Sequence, residues 1–352
     1  MAKLINKDIN YNLDSSNMQD AIASFPRQID ESFKIMEDWS PRNEYLEIQK
    51  VMILGMGGSA IGGDIAKVIV QNKCSVPIII NRSYSIPEWV DDKTLVIASS
   101  YSGNTAETLS SFKLCKEKKS SIIILSTGGI LGDYAMEMNL DLIIIPKGFQ
   151  PRAAIGFSFT LIILILRYFG FISDIIINNI KNSIIPVEKL SLNISQSNNL
   201  ALEVATKIHN TCPIIYGSEN LGWVIALRFR GQLAENSKML SFHHHFPEQN
   251  HNEIEGWTKN ENIMSQFSII WIKDEEDHVE TKLRMKITSS LLESVSGKQI
   301  IISQSGENRI ERLLKLIHFI DWVSYFAALL NNVDPTPVNR IQELKNKITK
   351  IV

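Results

Sequence analysis

A surplus of charge of either sign is what this sequence lacks most plainly. Across 352 residues, 36 lysines and arginines face 38 aspartates and glutamates, a formal net charge of −2. Nucleic-acid binders carry a basic excess that tracks the phosphate backbone, so nucleic acid is not an expected partner. Cysteine is scarce: Cys74, Cys115 and Cys212 are scattered and odd in number. That usage suits a reducing cytoplasm, where a buried thiol behaves as a small apolar group. No clean apolar run reaches bilayer length. The greasiest stretch, IGFSFTLIILILRYFGFI at 155–172, is diluted by Ser158 and Thr160 and interrupted by Arg167. It reads as a buried central helix. The opening MAKLINKDINYNLDSS has no apolar core of signal-peptide length, so the expectation is a cytoplasmic protein with no membrane partner.

What the chain does have is rhythm. Strand-like β-branched runs alternate with helical patterns throughout, which predicts an α/β fold with parallel sheet. In the first half the runs are KVMIL (50–54), VPIII (76–80), TLVIA (94–98), SIIIL (121–125) and LDLIII (140–145). The second half repeats the pattern with CPIIYG (212–217), FSIIWI (267–272) and QIIIS (299–303). Each half opens with a strand, a glycine-containing turn and a helix. The reading is two doubly wound parallel-sheet subdomains, an internal duplication, with domains over 1–170 and 201–352. The Asn-, Ser- and Ile-rich stretch 171–200 is taken as a linker holding a short helix and a crossover.

Two loops of the first half carry chemistry. GMGGSA (55–60) matches a loose dinucleotide fingerprint. A ribose-binding acid is missing from the end of the second strand, which offers Asn81 and Arg82 instead; Arg82 keeps a 2′-phosphate, and so NADP, as an alternative. SSYSGNTAETL (99–109) follows the third strand with Ser100, Ser102 and Thr105 around a glycine, ahead of a helix starting near Thr105. Hydroxyls and backbone N–H groups at a helix N-terminus favour an anion. A nucleoside triphosphate would call for a lysine and a magnesium ligand as well, and neither is in the loop. The pattern suits a single phosphomonoester, although each loop is equally the start of a Ser/Thr-capped helix. Arg152, in PRAAIGFS, is a surface arginine or a third anion contact. In the second half the matching loop reads WIKDEEDHVET, and Asp274–Asp277 would repel an anion. Only the first half is expected to bind the phosphate.

The second half offers a carboxylate and histidines. Glu235, in RGQLAENSKML, has a bland alternative as a helical partner of Lys238. The stretch HHHFPEQNHNEIEGW (243–257) is dense in titratable and amide side chains and low in regular pattern, so it reads as a functional loop. His243, His244, His245, Glu248 and His251 invite a zinc reading, but metal-site spacing is missing and three adjacent histidines cannot all face one ion from an extended strand. His251, flanked by Asn250, Asn252 and Glu253, suits general acid–base chemistry better.

In this order, GMGGSAIGGD, SYSGNT, PRAAIGFS, LAENSK, PEQNHNEIEGW and DPTPVNRIQELK resemble the bifunctional phosphoglucose/phosphomannose isomerases, enzymes built from sugar isomerase (SIS) domains, over about residues 40–350. The resemblance implies phosphate binding by Gly57, Gly58, Ser59, Ser100, Ser102, Thr105 and Arg152. It implies Glu235 as the base and His251 as the ring-opening histidine, reaching into the site of a partner subunit in a homodimer. It further implies a catalytic lysine at Lys345, with Lys347 and Lys350 as alternative registers, and a threonine for accepting both epimers at Thr336. Hexose 6-phosphates are the implied substrates, with no cofactor and no metal. The alternative is a sugar-phosphate sensor with the same nest and no chemistry.

Overall fold

The computed structural model describes residues 9–45, 47–194, 199–259 and 261–349. The chain divides into two compact units, one of Ala23–Glu188 and one of Met1–Ile22 with Lys189–Val352. The N-terminal residues thus group with the second unit. Met18 and Ile22, on α1 (Met18–Ala23), are buried, Tyr325 Oη donates to Gln19 Oε1 at 3.2 Å, and Ser15 Oγ donates to Asp334 at 2.6 Å.

The unit Ala23–Glu188 is built on a five-stranded parallel sheet, order β2-β1-β3-β4-β5. Its strands are β1 (Lys50–Leu54), β2 (Ile78–Asn81), β3 (Thr94–Ser99), β4 (Ser121–Ser126) and β5 (Asp141–Ile144). Leu54 of β1 lies opposite Asn81 of β2 and Ala98 of β3. Covered on both faces, the central strands read as unbroken apolar runs, and every residue of β3 is buried. The covering helices include α2 (Phe25–Glu37), α3 (Gly57–Val70), α4 (Ala106–Glu117), α5 (Gly129–Glu137) and α6 (Ile155–Tyr168). All residues from Ile155 to Leu166 are buried, so the greasiest run is a central helix as expected.

The second unit carries a four-stranded parallel sheet, order β7-β6-β8-β9. The strands are β6 (Cys212–Ser218), β7 (Phe242–Phe246), β8 (Phe267–Ile272) and β9 (Lys298–Ile302). Strand for strand this is the order of the first sheet without its fifth member, so the duplicated α/β pattern of the sequence is present in the fold. Its helices are α8 (Leu200–Ile208), α9 (Leu221–Glu235), the single turn α10 (Glu261–Met264), α11 (Val279–Leu291), α12 (Arg309–Leu330) and α13 (Asn339–Thr349). By length and composition α12 could cross a membrane, and 89% of its most apolar window is buried inside the protein.

Two sequence expectations are corrected. The linker stretch is not a short helix and crossover: α7 (Asp174–Ile194) runs 21 residues through it, with Pro186 inside, and the division between the units falls within it. Ile176, Ile180, Ser183, Val187, Ser191 and Ile194 are buried, with Ile177 beside the first, and their spacing of three and four marks one helical face beneath the Asn/Ser composition. Residues 195–198 of that stretch lie outside the described residues. The histidine run is not loop either. His243–His245 are in β7, paired in parallel with Ile215–Gly217.

Candidate active site

The sheet order of the first unit reverses between β1 and β3, and the loops that follow these two neighbouring strands open at that switch point, where doubly wound sheets bind ligands. Gly57, with φ of +48°, begins α3, and a Cβ on Gly58 would sit 2.7 Å from the carbonyl oxygen of Pro151. Only a residue without a side chain lets these two backbones come so close. Ser59 is buried, and its Oγ accepts the backbone N–H of Tyr101 at 3.3 Å. Ser100 Oγ and Thr105 Oγ1 are 3.0 Å apart. Thr105 is the N-cap of α4 in extended conformation and makes no side-chain cap bond, so its hydroxyl is not committed to capping that helix. Ser102 is exposed and accepts the N–H of Asn104 at 3.2 Å. The 3-10 turn Pro151–Ala153 carries Arg152, which is buried, not a surface arginine.

The structure therefore gathers the three predicted loops of this unit: Gly57–Ser59 with Tyr101's loop through one hydrogen bond, and Gly58 with the Arg152 turn by contact. Two further residues hold this arrangement that sequence reasoning missed. Buried Gln28 of α2 donates to Ala153 O at 2.8 Å and accepts from Gly156 N at 3.0 Å, tying the end of the Arg152 turn to the start of α6. Tyr101 Oη donates to Pro146 O at 2.9 Å and accepts from Phe149 N at 3.0 Å. Gln28 belongs to no local motif, and Tyr101, though inside SYSGNT, finds its hydroxyl partners 45 and 48 residues away. Arg82 pairs with the buried Asp64 of α3, which answers the 2′-phosphate alternative: its guanidinium neutralises a carboxylate whose pKa burial raises.

In the second unit Glu235 is the last residue of α9, half-buried. Lys238 is not part of that helix. It lies past the helix end with φ of +56° and donates to the backbone carbonyl of Glu235 at 2.6 Å and to that of Pro335 at 3.5 Å. That lysine ties the carboxylate-bearing turn to the segment of Thr336, which is buried and donates its N–H to Asp334 at 2.8 Å. The remainder of LAENSK anchors the turn to α12: Asn236 Nδ2 reaches Ser324 Oγ at 2.9 Å and Ser237 Oγ reaches Ser324 O at 2.6 Å. Earlier in the two helices, Arg228 and Gln232 share the Asp321 carboxylate, with Arg228 contacts at 2.5 and 3.0 Å.

His251 ends the 3-10 turn Glu248–His251 and is exposed. Its motif neighbours are structural: Gln249 is fully buried, Asn250 Nδ2 donates to Thr288 Oγ1 of α11 at 3.0 Å, and Trp257 Nε1 donates to Tyr216 Oη at 3.1 Å. Burial, with Arg230 nearby, holds the His243 imidazole neutral, its pKa lowered to about 4. Among the described residues no group of three His, Cys, Asp or Glu converges as metal ligands would. Lys345 is exposed on α13, Lys347 pairs with Glu343 at 2.6 Å, and Lys350 lies outside the described residues.

The loop after β8 is the counterpart of the loop after β3, and here a guanidinium of the same chain packs against it. Arg312 of α12, fully buried, contacts Asp274 at 2.7 and 3.0 Å, Glu275 at 2.7 Å and Glu276 at 2.7 Å. Ser218 Oγ, at the end of β6, donates to Asp277 at 2.5 Å. His278 caps α11 where Thr105 caps α4, its ring accepting the N–H of Glu280 at 3.2 Å. The acidic replacement does more than repel an anion: it binds a cation of the same chain.

Comparison with known proteins places this architecture. Residues 197–348 match the family model described as the bacterial phospho-glucose isomerase C-terminal SIS domain. The fold is shared with Escherichia coli tagatose-6-phosphate ketose/aldose isomerase, with a TM-score of 0.67 over 92% of this chain and 96% of that one, at 13% identity. A hypothetical protein of Thermus thermophilus aligns with a TM-score of 0.73 over 99% of this chain and 93% of that one, at 14% identity. Both units are thus of the SIS class of α/β fold. The bifunctional phosphoglucose/phosphomannose isomerase of Caldicellulosiruptor bescii is 41% identical over 95% of this chain and 99% of its own. That of Aquifex aeolicus is 32% identical over 92% and 99%. The chain belongs to the bifunctional phosphoglucose/phosphomannose isomerase family. Members of this wider group differ in chemistry, since a D-glucosamine-6-phosphate 4-epimerase of Sulfolobus acidocaldarius is 33% identical over 72% of the chain.

Proposed function

We propose that the protein interconverts glucose 6-phosphate and mannose 6-phosphate with fructose 6-phosphate. The observation that carries this reading is the neutral nest of the first unit, where hydroxyls of Ser59, Ser100 and Thr105 gather at two helix N-termini. Such a nest, with buried Arg152 next to Gly58, suits one phosphomonoester. Gly57 and Gly58 bring backbone N–H groups to the same ligand, and Ser102 adds a hydroxyl from the loop. Phosphate binding fixes the sugar, and positioning supplies a large part of the rate.

His251, with Lys345, opens the ring by giving a proton to the ring oxygen and taking one from the anomeric hydroxyl. Glu235 then removes the C2 proton of the aldehyde as O1 gains one, leaving a cis-enediol. The same carboxylate returns its proton to C1 while the proton on O2 departs, which yields the ketose. C1 and C2 are adjacent, so one carboxylate serves both. The enediol has no stereocentre at C2, so two epimeric aldoses share one site, with Thr336 admitting both. These groups supply every proton transfer, and the reaction calls for no metal or cofactor. Three unpaired thiols suit a cytoplasmic setting.

The working unit is a homodimer in which His251 serves the partner's site. What supports this is the outward face of α11: Val279, Leu283, Ile287 and Leu291 are 69%, 49%, 51% and 61% exposed. They recur every four residues as an apolar stripe while Thr281, Met285 and Thr288 face inward. The Asn250–Thr288 bond joins that helix to the His251 segment. The test is conversion of each aldose phosphate to fructose 6-phosphate by the purified protein, with Glu235→Gln beside it. The variant should lose about two to four orders of magnitude in kcat. A folded Glu235→Gln that still exchanges solvent deuterium into C2 at the native rate would refute the assignment, and a native protein that binds both sugars without turnover would be the sensor.

A further inference from the structure

His251 is exposed, yet the chain on either side of it is held by buried anchors. One residue before it, Asn250 is fastened to Thr288 of α11 at 3.0 Å and to Gln249 Oε1 at 2.9 Å. One residue after it, Asn252 accepts the N–H of Glu253 at 2.6 Å and donates to Glu248 at 2.9 Å, closing the turn on itself. Two residues after it, Glu253 accepts the hydroxyl of Tyr216 on one carboxylate oxygen, while the other lies 3.5 Å from His244 Nδ1. Six residues after it, Trp257 Nε1 donates to the same Tyr216 oxygen at 3.1 Å.

Tyr216 is thus the post on which the segment turns. It sits on β6, a central strand of the second sheet, and is completely buried between Phe246 and Trp271, with ring centroids 5.9 and 5.3 Å away. A hydroxyl that deep in an apolar core is costly unless both its donor and its acceptor capacity are met. Here the Glu253 carboxylate accepts the hydroxyl's hydrogen bond and the Trp257 N–H donates one to its oxygen, and burial followed by the Glu253 charge pushes the phenol pKa up, keeping it a donor. The bond to Glu253 is charge-assisted, and its direction is therefore fixed.

We infer that Tyr216 is a positioning residue for His251: through Glu253 and Trp257 it fixes the segment carrying the imidazole, and so governs ring opening separately from proton transfer between C1 and C2. The inference rests on the proposed ring-opening role of His251. The hydroxyl loops belong to the other unit, so sugar-phosphate affinity is not the province of Tyr216.

Ring opening can be read alone. In a Glu235→Gln background the enediol step is blocked, while exchange between the α and β anomers of glucose 6-phosphate still reports His251 and is measured by NMR magnetisation transfer. Adding Tyr216→Phe should slow enzyme-catalysed anomer exchange by about 10–100-fold, with the dissociation constant for glucose 6-phosphate changed less than about twofold. Glu253→Ala in the same background should do likewise, and Glu253→Gln, which keeps an acceptor for the Tyr216 hydroxyl, should recover part of the rate. If folded Tyr216→Phe and Glu253→Ala exchange the anomers as fast as their parent, the positioning role is overturned. An equal loss of affinity and rate overturns it as well, because that marks a general structural defect. If the Glu235→Gln parent itself exchanges the anomers no faster than buffer, ring opening by this site falls, and the positioning role falls with it.

Discussion

Removing the Arg312 guanidinium is the sharpest physical test of why the two units differ. Arg312 and Asp274 side chains are 1% and 3% exposed and meet through two hydrogen bonds, whereas Glu275 and Glu276 remain 64% and 55% exposed. The exposed pairs are screened and each contributes under about 1 kcal/mol. The buried pair behaves differently. Arg312→Met fills the same volume but leaves the Asp274 carboxylate buried without its cation, a change that costs about 3–5 kcal/mol. For a domain of this size that lowers the melting temperature by roughly 6–20 °C. Four of the six tryptophans, Trp223, Trp257, Trp271 and Trp322, lie in this unit, so intrinsic fluorescence in a urea or thermal melt follows it directly. Adding Asp274→Asn to Arg312→Met removes the stranded charge and should restore about half of the loss. A loss below about 1 kcal/mol, or a double variant no more stable than Arg312→Met, would refute the account in which the acidic loop exists to hold this arginine.

Other expectations follow from the site. Ser100→Ala with Ser102→Ala should raise KM for hexose 6-phosphates by roughly one to two orders of magnitude, the loss of two hydrogen bonds to phosphate; unchanged KM and kcat would remove these hydroxyls from the site. Glu235→Gln and His251→Ala proteins, each inactive, should regain activity on subunit exchange, approaching half of the native value per mixed dimer. Mixed dimers captured by tagged pull-down without activity would confine His251 to its own chain. Exhaustive chelation should leave turnover intact, and a chelated enzyme restored only by added zinc would return the histidine run to consideration as a metal site.

The fold was legible where one residue type did one job. Strands such as TLVIA and FSIIWI are buried on both faces and are apolar from end to end, so their positions followed directly from composition. Strand β7 was hidden because histidines occupy an edge position, where one side of the strand has no neighbour to demand a β-branched residue. The helix α7 was hidden by its composition, although its apolar positions kept a helical period. The loops around Ser100 and Gly58 were visible because their chemistry is local. Their supports were not: Gln28 lies 125 residues from the carbonyl it binds, and Ser324 lies 88 from Asn236. The same distance explains Asp274–Glu276, whose charges were read as a repulsive field. Their partner Arg312 is on another helix, and only the folded chain reveals that one guanidinium offsets part of that charge.

The division of the chain has a consequence for the order in which its parts come into being. Residues 23–188 form one unit without interruption, while the other begins with the N-terminal 22 residues and resumes only at Lys189. A nascent chain leaving the ribosome therefore completes the unit with the proposed phosphate loops first, and domains generally fold as they emerge. The early helix bearing Met18 and Gln19 must wait for Tyr325, more than three hundred residues later. A chain stopped between Glu188 and Glu235 would carry the loops proposed to hold phosphate and lack the proposed base.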